Sequence, residues 1–138
     1  MYELNDAKSI AEQIASSRVD MLIAIYDATI EATTKAVEML RSQRDHEAAL
    51  AKSQALALVG LIESGLDLSK GEIPKQIKEL CGFIEHSLLQ SNPEQIAAAA
   101  RVLSNLRAGF AGIKAEAAAL EQNGEIPRLS TISVDTVV

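Results

Sequence analysis

Apolar and small residues recur at alternating steps of three and four along residues 92–120, the most regular pattern in the chain. Asn92, Pro93 and Gln95 open this stretch with an N-cap side chain, a proline in the first turn and a capping-box glutamine. Asn123-Gly124 follows as a helix stop. The spacing predicts a long helix that packs in a bundle with a slight left-handed supercoil. Its stripe is Ile96, Ala99, Leu103, Leu106, Phe110, Ile113, Ala117 and Leu120.

Two earlier helices are predicted, one starting at Ser17 and one capped by Asp45 and reaching roughly Leu66. Each has two apolar faces, which indicates either burial all round or a face kept for a partner. On the first helix the core positions are Val19, Leu22, Ile23, Tyr26, Ile30, Val37 and Leu40, and the second face is Met21, Ile25, Ala28, Ala32 and Met39. On the second helix the core positions are Ala55, Leu56, Val59, Ile62 and Leu66, and the second face is Leu50, Ala57, Leu58 and Leu61.

A third helix is predicted after Gly71, which breaks the preceding helix, with Pro74 in its first turn. Its single core stripe has Cys81 beside it and Phe83 at its margin, and consists of Ile73, Ile77, Leu80, Ile84 and Leu88. Four long helices joined by short turns predict an all-α, antiparallel up-down four-helix bundle. We expect a short helical N-terminal segment over residues 1–16, the bundle over 17–124, and an extended or disordered tail over 125–138.

Composition and charge exclude several classes of function. The net charge of −6 leaves no basic face for nucleic acid or for an anionic membrane. The chain has a single cysteine and only 3% aromatic residues, which suits an aliphatic core in a reducing compartment. The first residues lack the basic start and apolar run of a signal peptide, and no apolar stretch is long enough to span a bilayer. We therefore expect a soluble cytoplasmic domain.

The titratable residues suggest no active site. His46 and His86 are predicted on different helices without the spacing of a metal site, and no paired Glu-x-x-His motif is present. Cys81 lies beside an apolar stripe, so a buried thiol is a better interpretation than a nucleophile. No cofactor or metal is expected. The residues alone thus predict an acidic helical bundle with surplus apolar faces, suited to binding helical segments.

An ordered set of short motifs gives the chain a family resemblance. Residues 25–30, Ile-Tyr-Asp-Ala-Thr-Ile, resemble the signature Leu-Tyr-Asp-Gly-Ala-Ile, and residues 65–67 with 71–73 resemble a Ser-Leu-Asp … Gly-Glu-Ile junction. Further matches lie at residues 80–83, 90–92 and 103–110, although Cys81-Gly82 replaces a Tyr-Asp pair and Phe110 replaces Trp. The order and spacing hold from about residue 17 to residue 113. On these motifs the chain resembles FliS, the flagellin-export chaperone family.

The resemblance implies a cytoplasmic, non-enzymatic chaperone for type III export that binds the disordered C-terminal segment of flagellin. It also implies that the N-terminal segment covers part of the apolar surface in the free protein, as a lid. Contact with the flagellar export gate is a further expectation. The residues predicted to form or cover the client groove are Ile10, Ile14, Met21, Ile25, Tyr26, Leu58, Leu61 and Phe83.

Two alternatives from other classes stay open. In a phosphotransfer bundle, His86 would be exposed and would accept a phosphoryl group. In a purely structural bundle, the second apolar faces would be filled by self-association into a homo-oligomer. The two hypotheses differ from the chaperone in what they bind: a phospho-donor kinase, a second copy of the chain, or a flagellin peptide.

Overall fold

The computed structural model describes the backbone of residues 4–122 and the side chains of residues 18–115. Over this part the chain forms four α-helices, with a short 3-10 turn at Leu68–Lys70. The helices are α1 (Leu4–Arg41), α2 (Asp45–Ser64), α3 (Glu72–Leu88) and α4 (Pro93–Gln122). The predicted all-α four-helix bundle is confirmed. In it α1 packs against α2 and α4, and α3 closes the ring against the same two helices.

The core consists of the inward stripes of the four helices. Val59, Ile84, Leu88, Ile96 and Leu103 are fully buried, as the periodicity predicts. Two assignments were wrong: Ile73, placed in the core stripe of α3, is 50% exposed, and Ile113, placed in the stripe of α4, is also exposed. Ala32, on the second face of α1, is buried, which is one of the two outcomes that a second apolar face indicates.

The connections show where the local signals hold. Asn92 caps α4, since its Oδ1 accepts a hydrogen bond from the backbone N–H of Glu94 at 3.0 Å. Gly71 has φ +113° immediately before α3, a conformation that L side chains rarely adopt. The predicted cap at Asp45 is wrong, because Asp45 is the first helical residue and Arg44 occupies the N-cap position without a side-chain hydrogen bond.

The predicted helix start at Ser17 is also wrong, because α1 runs without a break from Leu4 to Arg41. Ser17 and Asp20 form the pattern of a capping box, but Asp20 instead pairs with Lys114 on α4. Residues 4–16 therefore lie on the same helix as the residues that follow. The division of the chain into three units stays a prediction, and the tail predicted from residue 125 lies outside the described residues.

Ion pairs fix the register of α1 against α4. Asp20 pairs with Lys114, and Asp27 accepts from Arg107 at 2.8 Å. The partners are spaced by seven residues on both helices, which places one pair above the other along an antiparallel seam. Arg41 and Glu94, 2.9 Å apart, close the far end. All of these side chains are substantially exposed, so the pairs set the register of the two helices and add little to stability.

Candidate functional site

An apolar groove of about 330 Å³ lies between α1 and the end of α2, and we call it the α1–α2 groove. The side chains of Arg18 and Ser64 add polar groups to walls that are otherwise apolar. The remaining lining residues are Met21, Leu22, Ile25, Tyr26, Leu61, Ile62, Gly65, Leu66 and Phe110. The groove therefore offers surface to an apolar ligand and carries no carboxylate or imidazole that could perform chemistry.

Two large apolar side chains of this groove are open to solvent. Met21 is 59% exposed and Leu61 is 51% exposed. Complete burial of such a side chain contributes about 1.5–3 kcal/mol, so covering the exposed half of each would contribute roughly 1 kcal/mol. Clustered apolar exposure of this kind is characteristic of a surface that binds a partner.

The floor of the α1–α2 groove is aromatic. The rings of Tyr26 and Phe110 lie with their centroids 5.3 Å apart at an interplanar angle of 36°. Burial raises the pKa of Tyr26, and the nearby Cys81 raises it further. The Tyr26 hydroxyl is buried and finds no hydrogen-bond partner among the described residues. This side chain thus supports the groove as a packed ring, and it stays protonated.

The structure brings together four of the eight residues predicted to form the site: Met21, Ile25, Tyr26 and Leu61. Leu58 lies one turn before Leu61 on α2 and packs half-buried against the core. Phe83 is 42% exposed on α3, and it is not among the lining residues of the groove. The side chains of Ile10 and Ile14 lie outside the described residues.

Sequence reasoning missed Phe110 and Leu66 as groove residues. Both belong to stripes that the periodicity assigned to the core, and both also touch the groove. Neither residue carried a signal of its own, because Phe110 is the fifth of the eight residues in the α4 stripe and Leu66 belongs to the core stripe predicted for α2. Periodicity places a residue on a face of a helix, but it does not show where that face stops being covered.

A second apolar groove of about 230 Å³ lies between α3 and α4, and we call it the α3–α4 groove. Ile73 and Ile113 form its exposed apolar rims, and Gln76 and Asn105 add one amide side chain from each helix. The other lining residues are Ile77, Leu80, Leu106, Gly109 and Phe110. Phe110 thus belongs to both grooves.

The titratable groups show no arrangement for catalysis. Burial raises the pKa of the Cys81 thiol to about 12, with the charges of Glu63 and Glu85 adding to the effect. A buried neutral thiol is inert as a nucleophile. Among the described residues no group of three or more His, Cys, Asp or Glu could hold a metal ion. His86 is exposed in the last turn of α3, which is the one requirement of the phosphotransfer hypothesis that the structure meets.

None of the described helices is both long enough and apolar enough to cross a membrane. The chain matches the family described as Flagellar protein FliS over residues 3–117. No curated protein and no solved structure matches the chain. The matched range contains α1, α2, α3, most of α4 and both grooves.

Proposed function

Since the chain belongs to the FliS family of flagellar proteins, a family of flagellar export chaperones, we propose that it binds the disordered C-terminal segment of flagellin in the cytoplasm. Binding there keeps the subunit from polymerising early and presents it for type III secretion. The observation that supports this proposal is the α1–α2 groove, in which Met21 and Leu61 stay exposed within a largely apolar lining.

The form of the groove suits an amphipathic helix as the client. Its walls come from two helices, and a client helix that lies between them meets apolar side chains spaced by whole turns. A helix satisfies its own backbone hydrogen bonds, so it needs few polar groups from the groove. A segment that is disordered before it binds spends free energy on ordering, which the exposed apolar area has to offset. The result is an affinity low enough for the client to be released.

The continuous α1 changes what the N-terminal segment can do. Ile10 precedes Met21, and Ile14 precedes Ile25, by eleven positions, close to three whole helical turns. Along an unbroken helix those positions are separated by about 17 Å, so residues 10 and 14 cannot fold back over residues 21 and 25. We propose that this segment extends the α1 wall of the groove when α1 is continuous. A lid would require α1 to break near Ser17.

Two aspartate variants on the same helix test the client groove. Leu61→Asp places a charge in the groove, while Leu50→Asp changes the same residue type on α2 at a position that is 59% exposed and not in the groove lining. We expect Leu61→Asp to weaken binding of a flagellin C-terminal peptide by roughly thirtyfold, equivalent to about 2 kcal/mol. Leu50→Asp should bind as the unmodified protein does.

Fluorescence polarisation with labelled peptide measures both variants, and circular dichroism checks that each retains its helices. Equal affinity for the two variants would remove the α1–α2 groove from the client site. The half-buried pair Ile25→Asp and Leu58→Asp extends the test to a second lining residue, Ile25, and to Leu58 one turn before Leu61. Light scattering over a range of concentrations separates client binding from self-association, since a structural bundle would form oligomers and show no affinity for the peptide.

Two further experiments address the remaining expectations. A phospho-donor kinase should leave His86 unlabelled, because exposure is the only feature that fits a phosphoryl acceptor there.

Contact with the export gate can be measured by capture on the cytoplasmic part of the gate, with and without the flagellin peptide. Capture that needs the peptide would support presentation of the loaded chaperone.

A further inference from the structure

Arg18 interrupts the apolar wall that α1 contributes to the α1–α2 groove. It precedes by three, four and seven positions the wall residues Met21, Leu22 and Ile25, so it lies on the same face of the helix as they do. Its side chain is exposed, and it is the charged residue among the described residues that line the groove. A position that breaks the local pattern in this way is typical of a functional residue.

The nearby carboxylates of α1 and α2 have partners other than Arg18. Asp20 lies two positions after Arg18 and pairs with Lys114 on α4. Glu63 lies between two lining residues of α2 and shares a hydrogen bond with Glu85 on α3. Neither carboxylate is therefore placed to neutralise the guanidinium at the edge of the groove.

The polar groups at the end of α2 are engaged as well. Asp67 accepts hydrogen bonds from the backbone N–H of Ser69 at 3.0 Å and from its hydroxyl at 2.6 Å. Ser64, the other polar lining residue, donates its hydroxyl to the carbonyl oxygen of Leu61 at 2.8 Å. The guanidinium N–H groups of Arg18 are thus the charged donors that the described lining offers to a ligand.

Covering the groove changes the surroundings of this charge. A client helix that lies on the apolar walls excludes water from them, so the guanidinium at their edge loses part of its hydration. That loss costs free energy unless the client supplies an acceptor, and the two oxygens of a carboxylate match the planar guanidinium. An apolar or basic client side chain at this place would leave the charge without an acceptor. The charge of Arg18 therefore favours one class of client group and disfavours the others.

A single charge also fixes where a client helix lies along the groove. A helix that is shifted by one turn, about 5.4 Å, would meet similar apolar side chains, so apolar contacts alone define its register poorly. A charge at one end of the described wall removes this ambiguity. We propose that Arg18 binds a carboxylate of the client segment and thereby sets the register of that segment in the α1–α2 groove. This role rests on the proposed function, since the client is the C-terminal segment of flagellin.

Three variants of the full chain test the role of the charge by fluorescence polarisation. Arg18→Met keeps an apolar stem and removes the charge, Arg18→Lys keeps the charge without the planar fork, and Arg101→Met changes an exposed arginine outside both groove linings. We expect Arg18→Met to weaken binding of the flagellin C-terminal peptide by about fivefold and Arg18→Lys by about twofold. Arg101→Met should bind as the unmodified protein does. The effect of Arg18→Met should shrink as NaCl rises from about 0.05 M to about 0.5 M, because salt screens the pair.

Changes in the peptide identify the carboxylate. One set of peptides replaces each Asp by Asn and each Glu by Gln in turn, and a further peptide carries a C-terminal amide in place of the chain-end carboxylate. One of these changes should weaken binding to the unmodified protein by about fivefold and have no effect on binding to Arg18→Met. A coupled side chain would place an acidic residue of the client at Arg18, whereas coupling to the amide would place the end of the client there.

Two designed helices separate the role of Arg18 from the identity of the client. Both carry a leucine stripe, flanked at every turn by glutamate in one and by glutamine in the other. The glutamate helix should bind more tightly, and Arg18→Met should remove that preference. If this result held while the flagellin peptide failed to bind, the carboxylate site would stand and the proposed client would be wrong. Equal binding of the flagellin peptide to the unmodified protein and to Arg18→Met would overturn the role of Arg18 and leave the proposed function intact. If neither the peptide nor the helices bound, both proposals would be wrong.

Discussion

Replacing Tyr26 by phenylalanine should make the protein more stable. The Tyr26 side chain is fully buried, and its hydroxyl has no hydrogen-bond partner among the described residues. An unpaired buried hydroxyl costs free energy in the folded state because it has exchanged its water for apolar neighbours. Phenylalanine keeps the ring that packs against Phe110 and removes only the oxygen.

The magnitude follows from two opposing contributions. Removing the unpaired hydroxyl relieves a desolvation penalty of about 1–3 kcal/mol. The space left by one oxygen, on the order of 10–15 Å³, costs roughly 0.3 kcal/mol at the coefficient measured for core cavities. The gain exceeds the cost. We expect the free energy of unfolding to rise by about 1 kcal/mol or more, and the melting temperature of a chain this size to rise by about 3 °C or more.

Urea unfolding followed by far-UV circular dichroism measures the change. The midpoint should rise while the m-value stays constant, because the surface exposed on unfolding hardly differs. Ser87 provides a parallel case in α3, since it is also buried with an unpartnered hydroxyl. Ser87→Ala should raise the midpoint too, helped by the higher helix propensity of alanine.

A fall in stability would refute this reasoning. If Tyr26→Phe lowered the free energy of unfolding by about 1 kcal/mol at unchanged m-value, the hydroxyl would have to make a hydrogen bond in the folded protein. If the free energy of unfolding rose for Ser87→Ala but fell for Tyr26→Phe, the reasoning would be wrong only for the aromatic floor of the α1–α2 groove.

Four further outcomes are expected. The folded pKa of Glu85 is raised from 4.5 to about 7 by its hydrogen bond with Glu63 and by burial. Its contribution to stability is therefore complete below pH 4.5 and lost as the pH rises through about 7, and Glu85→Gln should flatten that fall in melting curves recorded from about pH 5 to about pH 8. Gly60→Ala should raise the free energy of unfolding by roughly 0.5–1 kcal/mol, since its Cβ would meet nothing within 4 Å. Gly71→Ala should lower it by about 1 kcal/mol, because φ +113° strains any L side chain, and urea unfolding of the pair measures both. The Cys81 thiol is buried, so its reaction with a disulfide reagent should stay slow until urea unfolds the chain; fast labelling in native buffer would contradict its burial.

Periodicity predicted most of the fold, because a bundle needs one apolar stripe on each helix. It missed Thr29 and Thr33, which are fully buried in α1. Their hydroxyls donate to the carbonyl oxygens four residues earlier, at 2.6 and 2.7 Å, so these side chains enter the core already paired. A search for apolar residues alone cannot find a polar residue that is satisfied by its own helix.

The prediction that the first long helix starts at Ser17 failed for a related reason. Ser17 and Asp20 favour a helix N-terminus, but neither residue forbids a helix interior. The partner of Asp20 is Lys114, which lies 94 positions later in the chain, and only the fold shows that contact. Likewise, the second face of α1 was predicted, yet whether Met21 would be covered depended on where α2 ends beside it. Local signals set the helices, while the openings between them come from how far each helix extends.

Phe110 has a consequence for how the two grooves communicate. Residues of α1 and α2 line the groove on one side of Phe110, and residues of α3 line the groove on the other side, so the same ring separates the two grooves. A ligand that tilted this ring in one groove would change the space available in the other. Thermodynamics would then require the coupling to be mutual. If a ligand in the first groove changes the affinity of the second groove by some factor, a ligand in the second groove changes the affinity of the first by the same factor.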